Sequence, residues 1–443
     1  MNKNYKSTIS IALPVIIGQV SQLLMNVSDS VIVGRLGERA LSAAAFANSC
    51  FILIAIFAFG ALNAVPSIVA EARGAENQDA IRQNFRAAIW SGLFWGILVG
   101  LLVYLFSLVM PYMQQPESDV VQAQPFMVLM AISTPFMCLY TAIKGYFDGM
   151  EKTSVGMNIS ILGLALNVFF NIALVFGRFG FPNLGLIGSA WATLISRILI
   201  FIIVMIVVKK HPLTKNIFSV QMPDFQYIKN IITLGFPMGL QLFFEVAAFS
   251  GAGIMIGWLP EEQAIAGRAA HQIVLNTVSV TFMVMLGVSV AGSVRVGEAL
   301  GRKDNQGIYE AGKTALVLGL VIAAISSLFL IVFRNQFAAL YGIESAEVGA
   351  IVVRLTVIAA IFQFFDGCQC VGAGLLRGLQ DVKIPTIITF VAYWILWLPL
   401  AYWLGFKQNM GVDGIWYSDV FALGLAAVLL NARFFSMAKK ILV

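Results

Sequence analysis

The sequence predicts an all-α membrane protein with twelve transmembrane helices in two pseudo-symmetric bundles of six. Three observations lead to this fold class. Of 443 residues, 59% are apolar and only 11% are charged, whereas an ordinary soluble domain has about 25% charged residues. Apolar segments of membrane-spanning length recur along the whole chain, and the two halves of the sequence resemble each other. The lipid bilayer is therefore the first predicted partner.

The twelve spans follow from hydropathy in a window of about 19 residues. Each segment is longer than the roughly 10 alternating residues of a barrel strand and is apolar on most faces, which indicates helices. In order, the predicted first to twelfth spans are residues 10–33, 42–70, 87–110, 124–148, 155–177, 185–208, 229–257, 264–294, 312–333, 349–376, 384–405 and 413–436.

The distribution of Lys and Arg predicts the orientation of these spans. Most basic residues lie in alternate loops, and basic loops resist translocation, so we expect both termini in the cytoplasm. The first span follows Lys3 and Lys6 but is long, contains Asp29 and lacks a small-residue cleavage pattern, which predicts a retained helix instead of a secretory signal. The net charge of +6 does not predict nucleic-acid binding, because the basic residues do not gather on one face.

An internal repeat predicts the domain organisation. The longest polar connection, residues 209–228, is predicted to be a cytoplasmic linker between an amino-terminal lobe, 1–208, and a carboxy-terminal lobe, 229–443. Residues 14–36 align without gaps on residues 237–259. Further along, the motif residues Gly60, Glu71, Ala72 and Gly74 align on Gly287, Glu298, Ala299 and Gly301. Because six helices return the chain to its starting side, the repeats are parallel, and we expect binding sites between the lobes.

Polar side chains within the first and fifth spans predict a functional face in the amino-terminal lobe. A stripe at helical spacing ends in Asp29 and consists of Gln19, Gln22, Asn26 and Asp29. Asn167 and Asn171 form an i,i+4 pair whose carbonyl oxygens suit a hard cation. Alternatively, Asp29 caps its helix or pairs with Arg35, and the asparagines serve helix packing.

The carboxy-terminal lobe contains two deeper acids. Glu245 follows Gln241 by one helical turn near the middle of the seventh span, and Asp366 lies between Gln363 and Gln369 in the tenth. A charge near the centre of a span costs about 2.5–3.5 kcal/mol, so intramembrane acids indicate function. In the repeat alignment Asp29 corresponds to Ala252 and Glu245 to Gln22, so each lobe has its acid at a different depth.

Further side chains are candidates for contact with a flat organic cation. In the eighth span, Gln272 and Asn276 form a polar stripe beside His271. Phe244 and Met283 lie in the same two spans and offer the aromatic and thioether surfaces that attract such cations. The predicted substrate contacts are Glu245, Asp366, Gln241, Phe244, Gln272, Asn276 and Met283. Packing is the alternative for the aromatic residues and for His271.

The sequence contains none of the common motifs of enzymes or of metal sites. Neither Gly-x-Ser-x-Gly, His-Glu-x-x-His nor a phosphate-binding Gly-Lys-Ser/Thr loop occurs, so an enzyme is not predicted. The four cysteines lie in apolar segments without disulfide or zinc spacing. We expect no cofactor.

Six stretches together resemble the multidrug and toxic compound extrusion (MATE) family, most closely its NorM-like bacterial branch, along the length of the chain. They are Ala12-Leu-Pro to Gly37 with Asp29, Glu71 to Asn77, Gly235 to Gln241 with Glu245, Ala270 to Ile273, Ser293 to Gly301, and Leu376 to Asp381. The resemblance implies two six-helix bundles in a V shape (MATE/MOP type) and a bacterial inner-membrane protein.

The same resemblance implies secondary active efflux of organic cations, such as drugs and dyes, in exchange for Na⁺ or H⁺. The family's site positions match Asp29, Asn167, Asn171, Glu245 and Asp366. We hypothesise that Glu245 and Asp366 bind the coupling proton or cation, with Na⁺ as the candidate metal, and that the other three assist. The protein is expected to act as a monomer. The alternatives are a flippase for lipid-linked oligosaccharide or lipid, which has the same fold, and a channel.

Overall fold

The computed structural model describes residues 3–113, 117–215, 217, 221–340 and 345–442, and the regular structure of these residues is helical without strands. Its α-helices are α1 (Lys3–Gly34), α2 (Glu38–Leu62), α3 (Ala64–Gly74), α4 (Gln78–Val109), α5 (Glu117–Gly149), α6 (Thr153–Phe176), α7 (Gly185–Lys210), α8 (Phe225–Ile256), α9 (Glu261–Gly301), α10 (Asn305–Val332), α11 (Arg334–Leu340), α12 (Ala346–Gly378), α13 (Lys383–Phe390), α14 (Leu398–Tyr402) and α15 (Gly411–Leu442).

Twelve helical segments of the described chain are long and apolar enough to cross a membrane, which confirms the predicted fold class. They coincide with the predicted spans and extend beyond most of them into polar flanks. The second span comprises α2 and α3, which meet at Asn63. The eleventh comprises α13, a π-helix (Val391–Trp397), α14 and a second π-helix (Trp403–Lys407).

The chain forms two compact units whose limits fall inside helices. The amino-terminal unit is Ile17–Leu240, and the carboxy-terminal unit combines Met1–Ile16 with Gln241–Val443. Helices α1 and α8 therefore each contribute residues to both units. The sequence-based limits of the two lobes stay a prediction, and residues 216 and 218–220 of the predicted linker lie outside the described residues.

The internal repeat has a counterpart in helix packing. A Cβ atom on Gly60 of α2 would lie 2.7 Å from the Met238 carbonyl oxygen and 2.8 Å from the Cα atom of Gly239 on α8. At the aligned position in α9, a Cβ atom on Gly287 would collide with Ile16 of α1. Both glycines therefore permit a close helix crossing at equivalent places of the two repeats, because no side chain separates the helices.

The same repeat sets two helix starts. Asn77 caps α4, where its Oδ1 accepts a hydrogen bond from the Ala80 amide at 3.0 Å, and Asp304 caps α10, where its Oδ1 accepts one from the Gly307 amide at 2.8 Å. The residues just before these caps, Glu76 and Lys303, have positive φ angles of 53° and 55°. The polar loop that follows the second span of each repeat thus ends one helix and begins the next in the same way.

Replacing Asn77 by Ala is expected to lower the free energy of unfolding by about 1 kcal/mol, because an amide at the start of α4 loses its acceptor. Asn77→Asp is the matched control, since it retains a capping oxygen. Denaturation of the purified variants in detergent measures the difference. Equal stability of Asn77→Ala and the parent would contradict the role of the cap.

Candidate functional site

The two predicted acids of the carboxy-terminal unit lie together in its interior. Glu245 of α8 is 9% exposed and Asp366 of α12 is 3% exposed, and the charge of Glu245 acts on Asp366. Two carboxylates that repel each other within membrane spans are stable only when a proton or a cation balances part of their charge. The structure therefore brings the two acids together, and their role as one site stays a prediction.

A chain of hydrogen bonds fixes the Glu245 carboxylate. Gln369, one turn after Asp366 on α12, donates from Nε2 to Glu245 Oε2 at 3.3 Å. The hydroxyl of Tyr393 in the eleventh span donates to Gln369 Oε1 at 3.0 Å. The amide is thereby held in one orientation, with its donor towards the acid, and three spans converge on one carboxylate.

Part of the site has no partner among the described residues. Asp366 Oδ1 and both polar atoms of the Gln363 side chain are buried without a hydrogen bond. Such groups are costly unless something satisfies them. Carboxylate and amide oxygens are suitable ligands for a hard cation, so the oxygens of Asp366 and Gln363 are available to one.

Arg377 is the basic group that acts electrostatically on Glu245. Its guanidinium donates to the Ser289 hydroxyl at 2.8 Å, and that hydroxyl donates to the Cys370 carbonyl oxygen at 2.6 Å. Among the described residues, neither Glu245 nor Asp366 forms an ion pair closer than 4 Å. Arg377 therefore attracts the acid without neutralising it in a contact pair.

The eleventh span contributes through an unusual winding that hydropathy does not reveal. Tyr393 and Trp397, 0% and 2% exposed, lie in the π-helix Val391–Trp397. Single π-turns occur frequently at functional sites. The charges of Glu245, Asp366 and Asp419 all act on the Tyr393 phenol, so Asp419 of α15 belongs to the same interior although sequence analysis did not select it.

The predicted face of the amino-terminal unit forms around Asp29. The Asn171 amide donates to Asp29 Oδ1 at 2.7 Å. Asn167 is fully buried and interacts with the same carboxylate, although neither polar atom of its side chain makes a hydrogen bond of normal geometry. The structure therefore brings Asp29, Asn167 and Asn171 together, and their role stays a prediction.

Arg197 adds a positive charge to this face, and sequence analysis missed it. It lies in the middle of α7, and its charge acts on Asp29. The guanidinium donates to the Ser133 hydroxyl at 2.6 Å and sits 5.3 Å from the centre of the Phe51 ring. One half-buried carboxylate thus lies within electrostatic reach of one half-buried guanidinium, and the amino-terminal cluster is close to charge balance.

The predicted substrate contacts fall into two groups. Gln241 is 7% exposed, one turn before Glu245, and the Phe244 ring packs 5.1 Å from Phe390. By contrast, Gln272 and Asn276 are exposed on α9 and bond to each other at 3.0 Å. Met283 is half-buried.

His271 is held by packing. Its Nδ1 accepts a hydrogen bond from the Trp416 indole at 3.2 Å, and the residue is 6% exposed. This geometry agrees with the packing interpretation of the residue. A cavity of about 350 Å³ in the same unit is lined by Glu347, Arg354 and Asp413, among others, and not by Glu245 or Asp366.

Twelve candidate spans and buried, incompletely paired acids define the class of a polytopic membrane transporter. The family model MatE matches residues 14–173 and 237–403. The chain belongs to this family, whose members are transporters and not enzymes. The resemblance seen in the sequence motifs is thereby confirmed.

Individual relatives match over nearly the whole chain. The multidrug resistance protein MdtK of Proteus mirabilis (strain HI4320) is 31% identical, with 97% of this chain and 95% of that protein covered. The probable multidrug resistance protein NorM of Rhizobium meliloti (strain 1021) is 32% identical, with 99% and 94% covered. Together with the spans, these relatives indicate a multi-pass bacterial membrane protein.

Solved structures share the fold. The eukaryotic MATE transporter AtDTX14 is 22% identical with a TM-score of 0.89, covering 99% of this chain and 98% of that one. A MOP superfamily transporter from Pyrococcus furiosus, described by a reverse polarity of its binding pocket, is 17% identical with a TM-score of 0.88, covering 100% and 97%. At these identities the likeness concerns the fold alone.

Proposed function

We propose that this protein is a multidrug efflux antiporter, which exports organic cations in exchange for Na⁺ or H⁺ by alternating access. The main support for the proposal is the buried pair of Glu245 and Asp366, because a bound proton or cation must balance its negative charge. The names of the relatives from Proteus mirabilis and Rhizobium meliloti, both multidrug resistance proteins, support the same class of cargo.

The mechanism is a competition for negative charge. A proton or Na⁺ on the pair removes the charge that attracts an organic cation, and this difference in affinity biases the conformational equilibrium. One pH unit supplies about 1.36 kcal/mol, and 100 mV supplies about 2.3 kcal/mol per charge. Either gradient is large enough to drive accumulation against a modest concentration ratio.

The remaining predicted residues have supporting roles in this proposal. Asp29, Asn167 and Asn171 assist from the amino-terminal unit by holding a carboxylate in a defined place. Gln241 and Phe244 lie near Glu245 along α8 and are the substrate contacts that burial supports best. The proposed substrate contacts also include Gln272 and Asn276, which are exposed on α9, and Met283.

The flippase alternative rests on two half-buried guanidinium groups. Arg197 and Arg377 lie inside spans, where an anionic pyrophosphate cargo would need positive charge. Each of them, however, acts on a carboxylate of its own unit, Asp29 and Glu245 respectively. Binding of a cationic dye in detergent, and its absence for lipid pyrophosphate, would favour the antiporter.

Dye efflux from lipid vesicles tests the proposed function. The purified full chain is reconstituted, ethidium is enclosed, and Na⁺ and pH gradients are imposed separately. We expect at least one gradient to accelerate efflux well above that of protein-free vesicles. Efflux that responds to neither gradient would contradict antiport.

An antiporter of this kind is expected to have a defined membrane location, topology and oligomeric state. The bacterial inner membrane is the expected location, with both termini in the cytoplasm because of the basic inner loops. A monomer is the expected unit. Cysteine labelling of single-cysteine variants from either side of the membrane tests the topology, and mass measurement in detergent tests the assembly.

Replacing Tyr393 by Phe is expected to weaken the apparent affinity for the coupling cation about 2- to 10-fold. The change removes the hydrogen bond that orients Gln369 towards Glu245, and one such bond contributes about 0.5–1.5 kcal/mol. The measurement is the cation concentration at half-maximal dye efflux. Tyr402→Phe, on the exposed part of the same span, is the control, and an unchanged value in Tyr393→Phe would contradict the role.

A further inference from the structure

Asp419 is a buried carboxylate to which the proposed function assigns no role. It lies in α15, well inside the twelfth span, and is 3% exposed. Its Oδ1 atom has no hydrogen-bond partner in the described part of the chain, and none of the ion pairs found there includes it. An ionised carboxylate at this depth is energetically unfavourable unless a bound proton or cation neutralises it.

The groups around Asp419 are donors of hydrogen bonds. The Trp397 indole N–H acts on its carboxylate, without normal hydrogen-bond geometry, and the Tyr393 phenol lies within electrostatic reach. Asp366 of α12 and Glu245 of α8 act on the same phenol. On the α9 side, His271 is already occupied by Trp416, one turn before Asp419.

These acids do not share one metal centre. Among the described residues, no group of three or more carboxylate, thiol or imidazole side chains is close enough to hold a metal ion. The two aromatic donors beside Asp419 offer it no set of oxygen ligands for a hard cation. A proton is therefore the positive charge that fits this carboxylate, whichever cation the Glu245 and Asp366 pair binds.

The charge balance of the cluster requires more than one bound cation. Of the three carboxylates, only Glu245 is within electrostatic reach of a guanidinium of the described residues, that of Arg377. One positive charge against three acids leaves two negative charges in the interior. Uncompensated charges are strongly destabilising in such surroundings. The amino-terminal unit does not change this count, because Asp29 there is matched by Arg197.

We propose that Asp419 is a further cation-binding residue of the antiporter, a proton site separate from the Glu245 and Asp366 pair. The proposal rests on the proposed function and extends it to the stoichiometry of exchange. The carboxy-terminal unit takes up two positive charges, one on the pair and one proton on Asp419, when one monovalent organic cation leaves. The proton binds a carboxylate oxygen from the outer side and is released to the cytoplasm.

This exchange moves one net positive charge inwards in each cycle, which gives a direct test. Ethidium, a monovalent cation, is transported in vesicles whose membrane potential is clamped with K⁺ and valinomycin. For the parent we expect the steady-state ethidium ratio to change about 50-fold per 100 mV, the equivalent of one charge. Asp419→Asn removes the second charge, and its ratio should not depend on potential.

Asp413→Asn is the matched control, because Asp413 lies near the start of the same helix and is paired with Arg354 at 3.0 Å. It should keep the potential dependence of the parent. Potential dependence retained in Asp419→Asn, or absent in the parent, would overturn the proposal.

A second measurement covers the case in which Asp419→Asn folds but does not transport. Protons released when ethidium binds are counted in weakly buffered detergent solution, from pH 5.5 to 8.5, with and without Na⁺. The parent should release one proton more per ethidium than the variant at its maximum, and equal release would overturn the proposal. If neither a Na⁺ nor a pH gradient drives ethidium efflux in the parent, the proposed function itself fails, whereas parental transport in both Glu245→Gln and Asp366→Asn refutes only the assignment of the pair. If those two fail while Asp419→Asn keeps its potential dependence, only the role of Asp419 is refuted.

Discussion

Replacing Glu245 by Gln is expected to reduce cation-driven dye efflux at least about 30-fold. The amide has nearly the same shape but carries no charge, so the proposed coupling cation loses its charged partner. Loss of one member of a buried charged pair costs about 2–5 kcal/mol, and 1.36 kcal/mol corresponds to a factor of ten. Initial efflux rates in vesicles under a Na⁺ or pH gradient measure the effect.

Two companion variants make this result specific. Asp366→Asn should show a loss of similar size, because the two carboxylates act as one site. Glu262→Gln, an exposed glutamate of α9, should transport like the parent. Coupled efflux at the parental rate in both Glu245→Gln and Asp366→Asn would refute the assignment, and a loss confined to Asp29→Asn would move the site to the amino-terminal unit.

Replacing Lys144 by Met is expected to lower the free energy of unfolding by about 3–5 kcal/mol. Lys144 and Asp148 form an ion pair at 2.7 Å on α5, and their side chains are 11% and 3% exposed. Removing the ammonium leaves a buried carboxylate without its partner, which is the costly way to break such a pair. Denaturation in mixed micelles, followed by circular dichroism, measures the change.

The double variant Lys144→Met with Asp148→Asn separates the two possible causes of instability. Without the carboxylate no unpaired charge is left, so much of the lost stability should return. If the double variant were as unstable as the single one, lost packing of the lysine stem, which lies against Gly156, would be the cause instead.

The membrane spans were predictable because each depends on a local property. A helix that crosses a bilayer needs about 20 apolar residues whatever its neighbours are, and the structure has a helix at each predicted segment. The irregular parts were not predictable. The break at Asn63 and the π-helix at Val391–Trp397 depend on contacts with other helices, which sequence periodicity does not contain.

The site was predictable where polar residues repeat along one helix face. Asp29, Glu245 and Asp366 each have amide side chains three or four residues away, and the structure connects Glu245 to Gln369 by a hydrogen bond. Asp419 and Arg197 have no comparable stripe, because mainly apolar residues occupy the neighbouring turns. Their partners come from other spans and become visible only once the helices are packed.

The close crossing at Gly60 and at Gly287 bears on the history of the protein. Both copies of the repeat have this close helix crossing, yet their acids lie at different positions. Ala252 occupies the position equivalent to Asp29, and Gln22 the position equivalent to Glu245. An ancestral duplication that fixed the crossing would have left each copy free to change its interior. Such divergence explains how one gene, doubled, can carry two chemically distinct halves.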